Sequence, residues 1–159
     1  MRKLVLAAVL TAWLCPGCWG DLSPRPASIE VVSQQGRWRI DGARSMTLDL
    51  GGWKIGLSGS EVDAIADTPI LERLVLEIIN TSIDGKLHVE PDEIMLTGLA
   101  GPLFLGPADT VTIAPGQSWQ TLYDRGLRAP MTPYPFKLTV TVFGGPDFQN
   151  PRSVSVFLY

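Results

Sequence analysis

Residues 73–82 read Arg-Leu-Val-Leu-Glu-Ile-Ile-Asn-Thr-Ser, and no other stretch limits the fold so strongly. Aliphatic and β-branched side chains dominate it, and a polar turn cluster ends it. In an extended chain Leu74, Leu76 and Ile78 fall on one face, while Arg73, Val75, Glu77 and Ile79 fall on the other. A wholly apolar face opposite a mixed one predicts a central strand, with one side on a core and the other partly wet.

Other segments alternate in the same way. Met46, Leu48 and Leu50 flank Thr47 and Asp49, and Trp53, Ile55 and Leu57 follow the Gly51-Gly52 turn. Leu138, Val140 and Val142, then Val154, Val156 and Leu158, predict a closing hairpin. Shorter β-like runs lie at 28–33, 36–41, 87–90, 93–97, 110–113 and 118–123. With 16 Gly and 13 Pro cutting these runs apart, the pattern predicts an all-β antiparallel sandwich or barrel. Asp84-Gly85 and Pro115-Gly116 each read as a hairpin turn. One segment departs from the pattern. Ser60-Glu61-Val62-Asp63 resembles a helix N-terminus, so 58–69 is expected to be a short helix or structured loop ended by Pro69.

The first eighteen residues have the form of a secretion signal. Arg2 and Lys3 precede Leu4–Leu14, eleven residues apolar but for Thr11 and too short to span a bilayer. The expected organisation is a signal peptide at 1–18, a Pro-bearing tether at 19–27 and one domain at 28–159. Both cysteines, Cys15 and Cys18, lie in the leader, so the domain has no thiol with which to staple itself. Gly17-Cys18 resembles the end of a bacterial lipobox, with Cys18 as the residue to be acylated, although Cys15 stands where Leu is usual. Cleavage after Gly20 competes with it. On the first route a lipid holds the domain to the membrane; on the second it is released. Without Arg2 and Lys3, 11 basic residues face 16 acidic ones, a net of −5. An acidic domain without a basic run is a poor nucleic-acid binder.

Three segments in order, Ile78-Ile79-Asn80-Thr81-Ser82, Val89-Glu90-Pro91-Asp92-Glu93-Ile94-Met95-Leu96 and Ile113-Ala114-Pro115-Gly116-Gln117-Ser118, resemble the telokin-like, immunoglobulin-like β-sandwich domains of bacterial envelope proteins and lipoproteins. The resemblance covers residues 46–143. It implies an immunoglobulin-like antiparallel β-sandwich after the signal peptide, an interaction role, and no catalytic residues to carry over.

The residues themselves supply no catalytic constellation. His88 is the sole histidine, and Gly56-Leu57-Ser58-Gly59-Ser60 lacks the final glycine of a nucleophile elbow. Asp84, His88, Glu90, Asp92 and Glu93 match no calcium-loop or zinc spacing, and read as solvated turn and edge charges. No dinucleotide or phosphate loop is present, so no metal or cofactor is expected. Leu103-Phe104-Leu105, inside the Gly/Pro-rich 98–109, is the first candidate for partner contact, with a further sandwich strand as the competing reading. Pro133 and Tyr134, in the stiff 130–136 segment, are the second. The expectation is a non-catalytic interaction or structural module in the bacterial envelope, whose partner is another envelope protein and whose membrane contact runs through Cys18. Two alternatives stand beside it. The resemblance allows a proteinase-inhibitor-like module presenting 98–109. Trp38, Trp53 and Trp119 with nearby carboxylates would suit a carbohydrate-binding or carbohydrate-active domain.

Overall fold

Alternating burial runs through almost every extended segment of the chain. The computed structural model describes residues 25–26, 29–40, 45–65, 68–98, 100–128 and 136–158. The strands in order are β1 (Arg25–Pro26), β2 (Ile29–Ser33), β3 (Gly36–Ile40), β4 (Ser45–Asp49), β5 (Trp53–Ile65), β6 (Thr68–Asn80) and β7 (Leu87–Val89). After a single 3-10 turn at Pro91–Glu93 come β8 (Ile94–Gly98), β9 (Gly101–Phe104), β10 (Val111–Ile113), β11 (Ser118–Tyr123), β12 (Leu127–Arg128), β13 (Phe136–Gly144) and β14 (Asn150–Leu158). No α-helix occurs among the described residues.

The strands form two antiparallel sheets packed together. One runs β1-β5-β6-β11, with β4 also on β5 and β12 also on β6. The other runs β10-β7-β13-β14-β2-β3, with β8 also on β13 and β9 beyond it. The inward sets of the two sheets share one core. Trp53, Ile55, Leu57, Leu74, Leu76 and Ile78 meet Phe136, Leu138, Val140, Val142, Val154, Val156 and Leu158. Burying each side chain of this kind contributes about 1.5–3 kcal/mol. That sum replaces the covalent staples the domain lacks.

The expected helix at 58–69 is not formed. Residues up to Ile65 continue β5, and those from Thr68 open β6. A helix nucleus of one or two turns is costly on its own, whereas β6 offers a complete ladder for β5 to pair with. Two compensating bulges carry that ladder through the awkward sequence. The register steps from Ser58↔Val75 to Glu61↔Arg73, which places an extra residue in β5. It then steps to Val62↔Leu71, which places an extra residue in β6. Gly59 sits at the first bulge with φ +65°, a conformation open to glycine at no steric cost. The second bulge explains why Leu71 and Leu74, three apart, are both buried.

Two expected hairpins are corners between sheets. β6 does not pair with β7 across Asp84-Gly85; β7 joins β10 and β13 in the other sheet. Likewise β10 pairs with β7 and β11 with β6, so Pro115-Gly116 carries the chain from one sheet to the other. The turn is closed by Gln117 N–H donating to Ala114 C=O at 3.0 Å. Turn chemistry is the same for a hairpin and a corner, so the local residues do not distinguish them.

Asn80 pins both corners. It is fully buried, and its Nδ2 donates to Gly85 C=O at 2.7 Å and to Ile113 C=O at 2.9 Å. Its Oδ1 accepts from Ser82 N–H at 3.0 Å and lies 2.6 Å from Ser82 Oγ. Its backbone N–H donates to Gln117 C=O, and its C=O accepts from Gly116 N–H. One side chain thus satisfies its own donors and acceptor while tying the end of β6 to both crossings.

Candidate interaction site

The site is built where an edge of each sheet, uncovered by any other described strand, lies on the same side of the sandwich. Among the described residues β9 pairs with β8 alone, through Met95↔Phe104, Leu96↔Leu103 and Thr97↔Pro102. Leu105 N–H donates to Ile94 C=O at 2.8 Å, and Gly106 then passes tightly against the carbonyls of Glu90 and Pro91. The strand alternation of β9 turns Leu103 toward the core and Phe104 away from it. Opposite, β11 pairs with β6 from Ser118↔Ile79 to Tyr123↔Leu74. Tyr123 is buried, Trp119 is half-buried against the core, and Leu122 faces out.

Between these edges lies a groove of about 410 Å³, floored by Leu103, Leu105 and Tyr123 and walled by Phe104, Leu122 and Arg125. Phe104 is 57% exposed and Leu122 49%. Only one other large hydrophobic side chain among the described residues is as exposed: Ile83, at 97%. Two of these three therefore flank one groove, and such clustering marks contact surfaces more often than chance exposure does. Burial pushes the Tyr123 phenol above its ordinary pKa, with the Arg125 charge acting the other way. The groove thus offers a neutral phenol, the Thr121 hydroxyl and the charges of Asp124 and Arg125 beside apolar walls.

The sequence candidates divide accordingly. Leu103-Phe104-Leu105 belongs mostly to a strand, as its competing reading had it, and also borders the groove. Cys18, Pro133 and Tyr134 lie outside the described residues. Within the tether read at 19–27, Arg25–Pro26 pairs with Glu61 and Val62. Leu122, Tyr123 and Arg125 were not singled out by sequence. The available signal was Leu122 itself, an aliphatic residue in phase with the polar Ser118 and Gln120.

His88 stands beside an aromatic ring. It stacks on Phe148 with centroids 3.3 Å apart and planes 7° from parallel. Phe148 holds a positive φ of 53°, closed by its N–H to Gly145 C=O, and it lines a hollow of about 570 Å³ with Asp84 and Lys86. No three of His, Cys, Asp and Glu come together as metal ligands among the described residues. Trp53 is buried in the core, and Trp119 is partly buried against it. Compared with family models, curated proteins and solved structures, the chain matches none of them.

Proposed function

We propose that this chain is an exported, non-catalytic interaction module of a bacterial envelope, held to the membrane by a lipid on Cys18 and engaging another protein through the groove between β9 and β11. The leader at 1–18 supports export, and Gly17-Cys18 supports the anchor. The telokin-like, immunoglobulin-like character belongs to this proposal and rests on the three segments named above. The observation that carries the contact site is that exposed Phe104 and Leu122 line one groove between two sheet edges that no other described strand covers.

A photoreactive residue at Phe104, used in intact envelopes, tests the reading. A discrete cross-linked band from Phe104, absent from the same probe at exposed Thr47 on the opposite edge, is the expected result. Equal labelling at both positions would remove the groove from the proposal. Fatty-acid labelling lost in Cys18→Ser is expected if the anchor is correct; labelling retained in that variant would refute it.

A further inference from the structure

We propose that β11 is the pairing edge of a symmetric dimer, so that the occupant of this side is a second copy of the chain. The inference rests on the reading of the β9–β11 side as a contact surface.

The described sheet edges differ in how they are defended. β3 carries Arg37 and Arg39, β4 carries Asp49, β9 carries Pro102, β1 carries Pro26, β12 carries Arg128, and β10 is only three residues long. Charge, proline and brevity are the usual devices that keep an edge from pairing. β11, six residues reading Ser-Trp-Gln-Thr-Leu-Tyr, has none of them.

Its open amides can be assigned. Gln117 C=O accepts from Asn80 N–H, so the residues of β11 that bond to β6 are Trp119, Thr121 and Tyr123. The other face of β6 agrees, because Thr81 N–H donates to Gly52 C=O on the β5 side. Ser118, Gln120 and Leu122 therefore direct N–H and C=O away from β6. Three such residues form a self-complementary set. Antiparallel pairing with a second copy sets Ser118 against Leu122 of that copy, with Gln120 on the two-fold axis. Each narrow pair makes two hydrogen bonds, about six in all. Trp119 then faces Thr121 of the second copy on the core side. No like charges meet at the axis, and Leu122 leaves water.

The unaltered chain is purified from host envelopes in detergent, and the cysteine variants, which lack the Cys18 anchor, from the exported soluble fraction. With Cys15→Ser and Cys18→Ser in place, Gln120→Cys carries the only thiol. Cα atoms across a hydrogen-bonded pair stand about 5.5 Å apart, within disulfide range. Oxidation is expected to give a covalent dimer from Gln120→Cys and none from Thr112→Cys, an exposed site on β10. The unaltered chain is expected to sediment at twice the monomer mass. Gln120→Pro deletes an outward N–H without touching the β6 ladder, so it is expected to give a monomer with an unchanged far-ultraviolet spectrum. A monomer at high micromolar concentration, with no disulfide from Gln120→Cys, would overturn the dimer. If the Phe104 probe still captures a different protein, the contact surface survives that result; if it captures nothing, both fall.

Discussion

Removing the Asn80 carboxamide should destabilise the domain far more than its size suggests. In Asn80→Ala the C=O of Ile113, at a buried site, loses its side-chain donor, while the C=O of Gly85 retains Ser82 Oγ at 2.5 Å. The 82–85 turn also loses the acceptor that holds Ser82 N–H. A stranded buried polar group costs about 1–3 kcal/mol, and loss of the turn anchor adds about 1 kcal/mol. The expected total is roughly 3 kcal/mol, a large share of the 5–15 kcal/mol that holds a typical domain. Asn80→Asp is expected to be worse at neutral pH, because a carboxylate oxygen would then face two carbonyls without a counter-charge. Burial raises the carboxyl pKa of that variant, so part of its deficit should be recovered as pH falls. Urea unfolding followed by tryptophan fluorescence measures both, with Thr81→Ala as an exposed neighbour expected to stay within about 0.5 kcal/mol. An Asn80→Ala midpoint indistinguishable from wild type would refute the assignment of Asn80 as the clamp on both corners.

Gly106→Ala should cost about 1–3 kcal/mol in the same assay, because a Cβ there runs into the backbone carbonyls of Pro91 and Glu90, which cannot swing aside. Ile83→Ser should leave stability within about 0.5 kcal/mol, since Ile83 is 97% exposed on a turn fixed by other residues. Asp49 accepts from Gly51 N–H at 3.0 Å and sits 3.3 Å from Lys54 Nζ, and these hold its carboxyl below the ordinary range. A lowered carboxyl pKa stabilises the fold above the unfolded-state value, and the effect is lost as pH falls through the folded one. The difference in thermal midpoint between wild type and Asp49→Asn should therefore shrink on acidification; a difference that widens would contradict it.

Strands with clean two-residue alternation were legible in the sequence, as Leu138, Val140 and Val142 and their partners Val156, Val154 and Arg152 show. The β5–β6 arm was not, because Ser60-Glu61-Val62-Asp63 carries a local helical preference that only long-range pairing overrides. β12, two residues long, is below any periodic signal. Nor was sheet membership legible at Asp84-Gly85 and Pro115-Gly116, where the deciding contact is Asn80 reaching Ile113, thirty-three residues away. The groove was half legible. Leu103-Phe104-Leu105 stood out as an apolar run, but its opposite wall comes from Leu122 and Tyr123, and only the fold sets the two side by side.

Amide hydrogen exchange along β11 tests the open edge most directly. In dilute solution Trp119, Thr121 and Tyr123 should be protected by β6, while Ser118, Gln120 and Leu122 exchange rapidly. Uniform protection of all six amides in a sample that sediments as a monomer would mean that the edge is already covered within one chain. The contact surface described here would then not exist.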